Sequence, residues 1–278
     1  MLYLFIATVC FSLSFGLIKD QLSVLPGEFV VLCRLFIAFL IFLPFFKKLT
    51  FKTHLKAMII GVFQFGIMYW AFLKAFKYLQ GNEVALLTTT TPVFVALWSS
   101  LFGEKFKPIY ILCILMSVCG AGIVVWHNLE FNMIVKGVVL METCNCCFAL
   151  GQVLWKNFIG DEDVNLIASA YFGAFLFILP FGLLSVDFLH LSLSAKQILS
   201  ILYLAIIPTG VGFWLWNKGA KLVKASTLAV MNNLKIPFGV FFSIVIFHEK
   251  IDLMNFIIGS SVIIFAIVIL NYFNCQKN

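Results

Sequence analysis

The chain has 278 residues, of which 63% are apolar and only 11% are charged. Soluble proteins average about 45–50% apolar and about 25% charged residues, so this composition excludes a water-soluble domain. The net charge of +7 comes from lysines that stand singly or in small groups between apolar runs. This pattern indicates membrane topology and no nucleic-acid partner.

Apolar runs interrupted by Lys, Pro, Gly and acidic residues predict ten transmembrane helices, each near the ~20 residues that span a bilayer. The first run lacks a preceding basic region and a following small-residue cleavage site, so we expect it to be retained as a helix. The connections are short, which makes neighbouring helices antiparallel. The predicted fold class is therefore an all-α membrane protein. In chain order the helices are predicted over 2–18, 28–46, 57–79, 84–102, 108–126, 135–155, 166–184, 198–217, 225–247 and 254–273.

The distribution of lysines predicts the orientation, because cytoplasmic loops carry an excess of Lys and Arg. With a cytoplasmic N-terminus, the inner connections and the C-terminal end hold 11 lysines and the outer connections hold 6. We therefore expect a multi-pass protein of the cytoplasmic membrane with both termini in the cytoplasm.

The two halves of the chain show an internal repeat. Pro92 and Pro237 are separated by 145 residues, and so are the acidic-basic pairs that begin at Glu104 and Glu249. Five helices in each half force the second half to enter the membrane in the opposite orientation. Inverted repeats place a binding site between the halves near the midplane, where rocking of one half gives alternating access. The repeats are predicted over 2–126 (helices 1 to 5) and 135–273 (helices 6 to 10).

The segments TTTTPVFVALWSSLFGEK (88–105) and MNNLKIPFGVFFSIVIFHEK (231–250) resemble EamA-type repeats of the drug/metabolite transporter superfamily. The resemblance covers nearly the whole chain and implies ten helices, with a proline in helices four and nine. The segments at 151–158 and 216–233 look like a branch named for carboxylate, amino acid and amine transport. The second repeat departs from the first by placing Lys235 where the first has Thr90.

Lys235 is the leading candidate for substrate binding. It lies at least ten residues from either end of its predicted helix, which is about 15 Å or more along the axis and too deep for easy snorkelling. An ionisable group at this depth costs at least about 2.5–3.5 kcal/mol, which makes it a functional candidate. The alternative is a structural ion pair without substrate contact.

Glu142 is the second ionisable candidate, and Asn145 follows it on the same helix face. Burial disfavours the charged form of a carboxylate, so Glu142 either binds a substrate ammonium or carries a coupled proton. The alternative is that it neutralises Lys235 or Lys136.

Arg34 is the only arginine in the chain. A guanidinium binds a carboxylate with two parallel hydrogen bonds better than an ammonium does, so Arg34 is a candidate substrate clamp. It lies six residues after Glu28, and the alternative is that its side chain reaches the outer interface.

The two prolines predict further polar positions in the membrane. Pro92 and Pro237 lack an N–H and are expected to kink helices four and nine, which leaves the carbonyls of Thr88 and Asn233 open. Such backbone lines a cavity or is buried in protein, and the alternative is a packing kink repaired by a hydroxyl. Tyr69 and Trp214 share the 145-residue offset and predict either an interfacial aromatic belt or stacking on a substrate. The remaining predicted site residues are Thr91, with the kink at Pro92, and Asn232, with the kink at Pro237.

These residues predict a secondary transporter that exports amino acids or related carboxylate metabolites, with protons as an optional coupling ion. The alternative on the same fold is an exporter of cationic drugs or amines, with Glu142 as the main contact. The run from Cys144 to Cys147 does not predict a metal site, because consecutive helical positions point in different directions. HExxH, GxSxG and GxxxxGK[ST] motifs are absent from the sequence, so a membrane enzyme and a cofactor are not expected. A receptor that does not transport is not expected either, because the predicted loops are too short for a partner domain.

Overall fold

The computed structural model describes residues 1–22, 24–75, 77–79, 84, 87–105, 108–125, 135–160, 163–246 and 253–275. Within these ranges the regular structure is helical, and ten helices follow one another along the chain. They are α1 (Leu2–Leu17), α2 (Gly27–Phe45), α3 (Phe51–Ala75), α4 (Thr91–Leu101), α5 (Pro108–Val125), α6 (Val135–Phe158), α7 (Asp163–Ser185), α8 (Ala195–Lys221), α9 (Ala225–Asn233 and Lys235–Val245) and α10 (Leu253–Cys275).

Helices α2, α3, α6, α7 and α8 are long and apolar enough to cross a membrane. Helices α1, α4, α5 and α10 contribute shorter apolar stretches. Large apolar side chains such as Leu97, Leu115 and Val268 are exposed on the outer helix faces, as expected where lipid is the solvent. The all-α membrane fold predicted from the sequence is confirmed.

Two of the predicted helices differ from the structure at their prolines. The helix predicted over 84–102 is helical at Leu87 and Thr88, is interrupted by a turn at Thr89 and Thr90, and is helical again from Thr91, so Pro92 lies in a first turn, where a missing N–H breaks no bond. The helix predicted over 225–247 is interrupted at Leu234, and Pro237 lies in the first turn of its second part. Both prolines therefore start helical segments in the middle of the membrane.

Three π-helical stretches occur among the residues that the structure describes. Ile18–Leu22 continues α1, Val62–Ile67 lies inside α3, and Ala205–Gly212 lies inside α8. The stretches in α3 and α8 overlap when they are shifted by the 145-residue offset of the repeat. A π-helical turn leaves backbone groups without their usual partners and is frequent at functional sites.

The helix ends form two faces, which we name after a lysine on each. At the Lys74 end α1 and α3 end and α2 and α8 begin, and a shared apolar cluster includes Leu22, Val30 and Ile201. At the Lys156 end α4, α6 and α8 end and α7 and α9 begin.

Small residues let α3 and α7 approach closely. A Cβ atom at Gly61 would lie 2.0 Å from the carbonyl oxygen of Ala170, and one at Gly173 would lie 2.5 Å from that of Met58. Helices α5 and α10 meet in the same way, because a Cβ at Gly120 would lie 2.8 Å from the oxygen of Gly259. Close backbone approach at small residues is typical of helix pairs in membranes.

Replacing Gly61 with Ala is expected to destabilise the protein by about 1–3 kcal/mol, because the added methyl group forces two backbones apart. Thermal unfolding of the detergent-solubilised protein measures the change. Gly160→Ala is the matched control, since a Cβ there meets no atom within 4 Å. Equal unfolding temperatures for the two variants would contradict this view of the α3–α7 contact.

Candidate functional site

A cavity of about 650 Å³, including its opening, lies between the two halves of the chain. It occupies the half of the helices nearer the Lys74 end, since Ser14 and Ile18 lie late in α1, Arg34 lies early in α2 and Phe72 lies near the end of α3. The described residues that line it are Phe11, Ser14, Ile18, Arg34, Met68, Tyr69, Phe72, Thr88, Cys144, Asn145, Phe148, Pro208, Phe213 and Lys235.

Arg34 lines the cavity and is only 2% exposed, so its side chain does not reach the outer interface. Its Nε donates to the hydroxyl of Thr209 at 2.9 Å and its Nη2 donates to the hydroxyl of Tyr69 at 2.7 Å. The guanidinium carbon also lies 4.3 Å from the centre of the Tyr69 ring. Nη1 is buried and has no hydrogen-bond partner among the described residues. One end of a deeply buried cation is therefore free to bind a ligand.

Lys235 is the first residue of the second part of α9, directly after the interruption at Leu234. The interruption is held by Ser12 of α1, whose hydroxyl donates to the Lys235 carbonyl at 3.0 Å. The ammonium lies 5.5 Å from the centre of the Phe148 ring, and no described carboxylate is within ion-pair distance of it. The helix break thus directs an ammonium without a described counter-ion into the cavity.

The two cations make the cavity electropositive. None of the fourteen described lining residues is a carboxylate, while Arg34 and Lys235 both contribute a positive charge. A buried charge without a partner is costly, and an anionic ligand would offset that cost. The arrangement therefore favours a small organic anion.

Glu142 does not line the cavity and does not pair with Lys235 among the described contacts. Its carboxylate accepts from the Thr90 hydroxyl at 2.9 Å. Asn145 donates to the same Thr90 hydroxyl at 3.0 Å and to the Leu87 carbonyl at 2.8 Å. The predicted shared face of Glu142 and Asn145 is thus visible as two contacts to Thr90, which tie α6 to the start of α4.

The carbonyl that Pro92 was expected to leave open is not free. Thr88 lines the cavity, but its carbonyl accepts from the hydroxyl of Thr91 at 2.8 Å. The Thr91 hydroxyl also lies 3.2 Å from the amide oxygen of Asn145. At this proline the predicted alternative, a kink repaired by a hydroxyl, describes the structure.

Buried amides beyond the cavity join the two halves at one place and the helices of the second half at another. Gln64 of α3 and Asn217 of α8 exchange two hydrogen bonds of 2.6 and 3.3 Å. Gln152 of α6 accepts from the Trp216 indole at 2.9 Å and from Asn232 at 3.2 Å. The Gln64–Asn217 pair satisfies both of its amide groups in the low-dielectric interior.

The predicted site residues divide between the cavity wall and the surrounding helices. Glu142, Thr91, Asn232 and Asn233 surround the cavity without lining it, and Trp214 lies apart, beside Lys218 and Phe42. Thr209, which holds Arg34, was missed, although the neighbouring Pro208 in an apolar run was a signal for irregular backbone there. The predicted residues that line the cavity are Arg34, Tyr69, Thr88, Asn145 and Lys235.

The Lys156 end is closed by a contact that we call the Glu104 latch, formed by Glu104, Lys156 and the N–H of Ala225. Helix α4 ends in a glycine turn at Gly103, whose φ of 87° lets the Glu104 N–H bond to the Ser99 carbonyl at 3.1 Å. One Glu104 carboxylate oxygen then pairs with the Lys156 ammonium, and the other accepts the Ala225 N–H at 3.0 Å. The latch joins the ends of α4 and α6 to the start of α9.

Several buried polar atoms between the cavity and this latch have no hydrogen-bond partner in the described part of the chain. They are the hydroxyls of Ser99 and Ser226 and the amide oxygens of Asn232 and Asn233. Ser226 and Asn233 are seven residues apart and share one face of α9, and the Asn233 amide donates to the Thr89 carbonyl at 3.3 Å. The unsatisfied atoms of Ser99, Ser226 and Asn233 thus follow the seam between α4 and α9, whereas Asn232 contacts Gln152 of α6.

Comparison with known proteins places the chain among transporters. The model of the EamA-like transporter family matches residues 1–126 and 135–272. A probable biotin transporter of Pseudomonas aeruginosa is 34% identical over 95% of both chains. The biotin transporters of Salmonella typhimurium and Escherichia coli are 31% and 30% identical, over 95% of this chain and 90% of theirs.

A crystal structure of another protein shares the fold, with a TM-score of 0.83 at 15% identity, covering 100% of this chain and 98% of that one. The family and the names of the relatives indicate a multi-pass membrane transporter and not an enzyme. The chain belongs to the EamA-like transporter family of the drug/metabolite transporter superfamily.

Proposed function

We propose that the protein is a secondary transporter of small organic carboxylates, with biotin as the first candidate. The observation that carries this proposal is the pair of cations, Arg34 and Lys235, that face one cavity with no described carboxylate in its wall. The relatives named as biotin transporters support the choice of candidate.

The chemistry of biotin fits the described wall. Biotin combines one carboxylate, an alkyl chain and a neutral ureido ring. The cations match the carboxylate, the Ser14 hydroxyl and the second lone pair of the Asn145 amide oxygen are acceptors for the ureido N–H groups, and the aromatic side chains match the alkyl chain. The aromatic residues are Phe11, Phe72, Phe148 and Phe213.

Amino acids and cationic drugs rank below simple carboxylates as substrates. A zwitterion needs an acceptor for its ammonium, and Glu142, the residue predicted for that role, bonds to Thr90 outside the cavity wall. A cationic amine would be repelled by Arg34 and Lys235 together. The predicted export direction is a separate question, because alternating access is reversible and the gradients set the net flux.

The closed and open ends support alternating access. The cavity lies toward the Lys74 end, while the Glu104 latch closes the Lys156 end. Each unsatisfied polar atom along the α4–α9 seam costs about 1–3 kcal/mol when dry, and water would satisfy it if the seam opened. We therefore assign the second opening to this seam. The lysine distribution favours an orientation in the cytoplasmic membrane with the Lys156 end facing the cytoplasm.

Flux of labelled biotin in reconstituted vesicles tests the proposal. We expect saturable flux that unlabelled biotin inhibits and biotinamide, which lacks the negative charge, inhibits at least about tenfold less well. Vesicles with an imposed pH gradient test proton coupling, and an effect of the gradient that Glu142→Gln removes would assign the proton to Glu142. Flux of neither biotin nor other monocarboxylates would contradict the proposal.

A further inference from the structure

The Arg34 guanidinium is held along one edge only. Its Nε and Nη2 bond to the hydroxyls of Thr209 and Tyr69, and these two hydroxyls lie 3.2 Å apart. The remaining end of the group carries Nη1, which has no partner within the described ranges although Arg34 is 2% exposed. A guanidinium end with parallel N–H groups matches the two oxygens of a carboxylate.

Thr209 comes from the irregular part of α8. It follows Pro208 within the π-helical stretch Ala205–Gly212, where the ladder of backbone hydrogen bonds is disturbed. The Tyr171 hydroxyl of α7 donates to the Thr209 carbonyl and lies 3.3 Å from the Gly210 carbonyl. Tyr171 has no exposed surface, so this contact fixes the backbone that carries the Thr209 hydroxyl.

These contacts form a chain from α7 through α8 to the cation on α2. Tyr171 holds the backbone of Thr209, the Thr209 side chain orients Arg34, and Tyr69 lies beneath the guanidinium. This series of contacts joins the first repeat, which contains Arg34 and Tyr69, to the second repeat, which contains Tyr171 and Thr209. A rotated guanidinium would lose both bonds, so its free end has one direction.

We propose that Arg34 binds the carboxylate of the substrate through its Nη1 end, and that Thr209, held by Tyr171, is the residue that positions it. This inference rests on the proposed transport of carboxylates and names the group that recognises them. No side chain holds Lys235 in a comparable way among the described contacts. Its ammonium therefore attracts the anion but does not fix the orientation of the carboxylate.

Binding of biotin and biotinamide to the purified, detergent-solubilised protein tests the inference. For the unaltered protein we expect at least about tenfold tighter binding of the acid than of the amide, as for a hydrogen bond to a charged group. Arg34→Gln is expected to bring this ratio close to one. Thr209→Val and Tyr171→Phe should lower it several-fold while leaving the affinity for biotinamide unchanged, and Thr209→Ser, which keeps the hydroxyl, should restore it.

Thr143→Val and Tyr203→Phe are matched controls, because the described hydrogen bond of the Thr143 hydroxyl is to its own helix and Tyr203 is not among the described residues that line the cavity. A ratio that stays high in Arg34→Gln, or in both Thr209→Val and Tyr171→Phe, would overturn the inference. If Arg34→Gln does not fold, the ratios of biotin to biotinamide affinity in the Thr209 and Tyr171 variants test the inference.

The proposal that biotin is the substrate and the inference about Arg34 can be tested separately. If the unaltered protein binds no biotin, the proposed substrate is wrong, and hexanoate and hexanamide replace biotin and its amide in a thermal-shift assay. Stabilisation by hexanoate that Arg34→Gln and Thr209→Val remove would support the inference. Equal thermal stabilisation by hexanoate and hexanamide would overturn the inference, whatever the physiological substrate is.

Discussion

Replacing Lys235 with Met is expected to lower the rate of biotin transport at low concentration by roughly 10- to 100-fold, the value of a hydrogen bond to a charged group. The same change is expected to leave the unfolding temperature unchanged or to raise it. An ammonium without a described counter-ion is costly in an apolar wall, and Met has a similar shape without the charge. Loss of transport with retained stability would be the signature of a residue kept for function.

Vesicle flux and thermal unfolding of the same preparations measure both effects. Lys196→Met is the matched control, because Lys196 is exposed in the first turn of α8. Lys235→Arg keeps the charge and should retain part of the activity. A Lys235→Met protein that is much less stable than the unaltered protein would instead identify Lys235 as part of a structural ion pair, the alternative that the sequence left open.

Hydropathy and charge predicted the fold and identified as candidates the two cations that line the cavity. The ten helices follow from apolar runs near the length of a bilayer, and Lys235 was identified by its depth alone. For Arg34 the sequence left two outcomes open, because a long side chain six residues from Glu28 reaches either water or the interior. The hydroxyls of Tyr69 and Thr209, which come from α3 and α8, decide between them.

The symmetry of the repeat misled the reading of the aromatic residues. Tyr69 and Trp214 are equivalent by the 145-residue offset, yet only Tyr69 lines the cavity. Tyr69 lies in the part of α3 near the Lys74 end, and Trp214 lies in the part of α8 near the Lys156 end. A cavity confined to one end contacts only one member of such a pair, and the sequence does not specify which end is open.

The rotation of each helix about its axis and the irregular backbone stretches could not be predicted from the sequence either. The spacing of Glu142 and Asn145 gave their common face but not the contact to Thr90 that keeps Glu142 out of the cavity wall. The π-helical stretch around Thr209 is contacted by Tyr171, a residue 38 positions earlier in the chain. Such long-range contacts leave no periodic signal.

Breaking the Glu104 latch is expected to shift the protein toward the state that opens at the Lys156 end. A helix cap contributes about 1 kcal/mol, and a partly buried ion pair adds a similar amount. Losing about 2 kcal/mol from one state changes the ratio of the two states roughly 30-fold. Glu104→Ala removes both contacts, whereas Lys156→Met removes only the ion pair and should have the smaller effect.

Thiol labelling at position 226 measures this shift. Ser226 is 2% exposed, so a Ser226→Cys protein without its natural cysteines should react slowly with a charged reagent applied from the Lys156 end. Adding Glu104→Ala should raise the initial labelling rate by at least about tenfold, because opening of the seam exposes the thiol to water. Biotin that stabilises the Lys74-open state should slow the reaction again.

Two controls separate opening from unfolding. Lys105 follows the latch residue without a described contact to α6 or α9, so Lys105→Ala should leave the labelling rate unchanged. A Cys placed at Ala170, which packs against Gly61 in the α3–α7 contact, should stay unreactive in the Glu104→Ala protein. Equal labelling at position 226 with and without Glu104 would show that the seam is not held shut by the latch, and reaction at both positions would show general loosening of the helices.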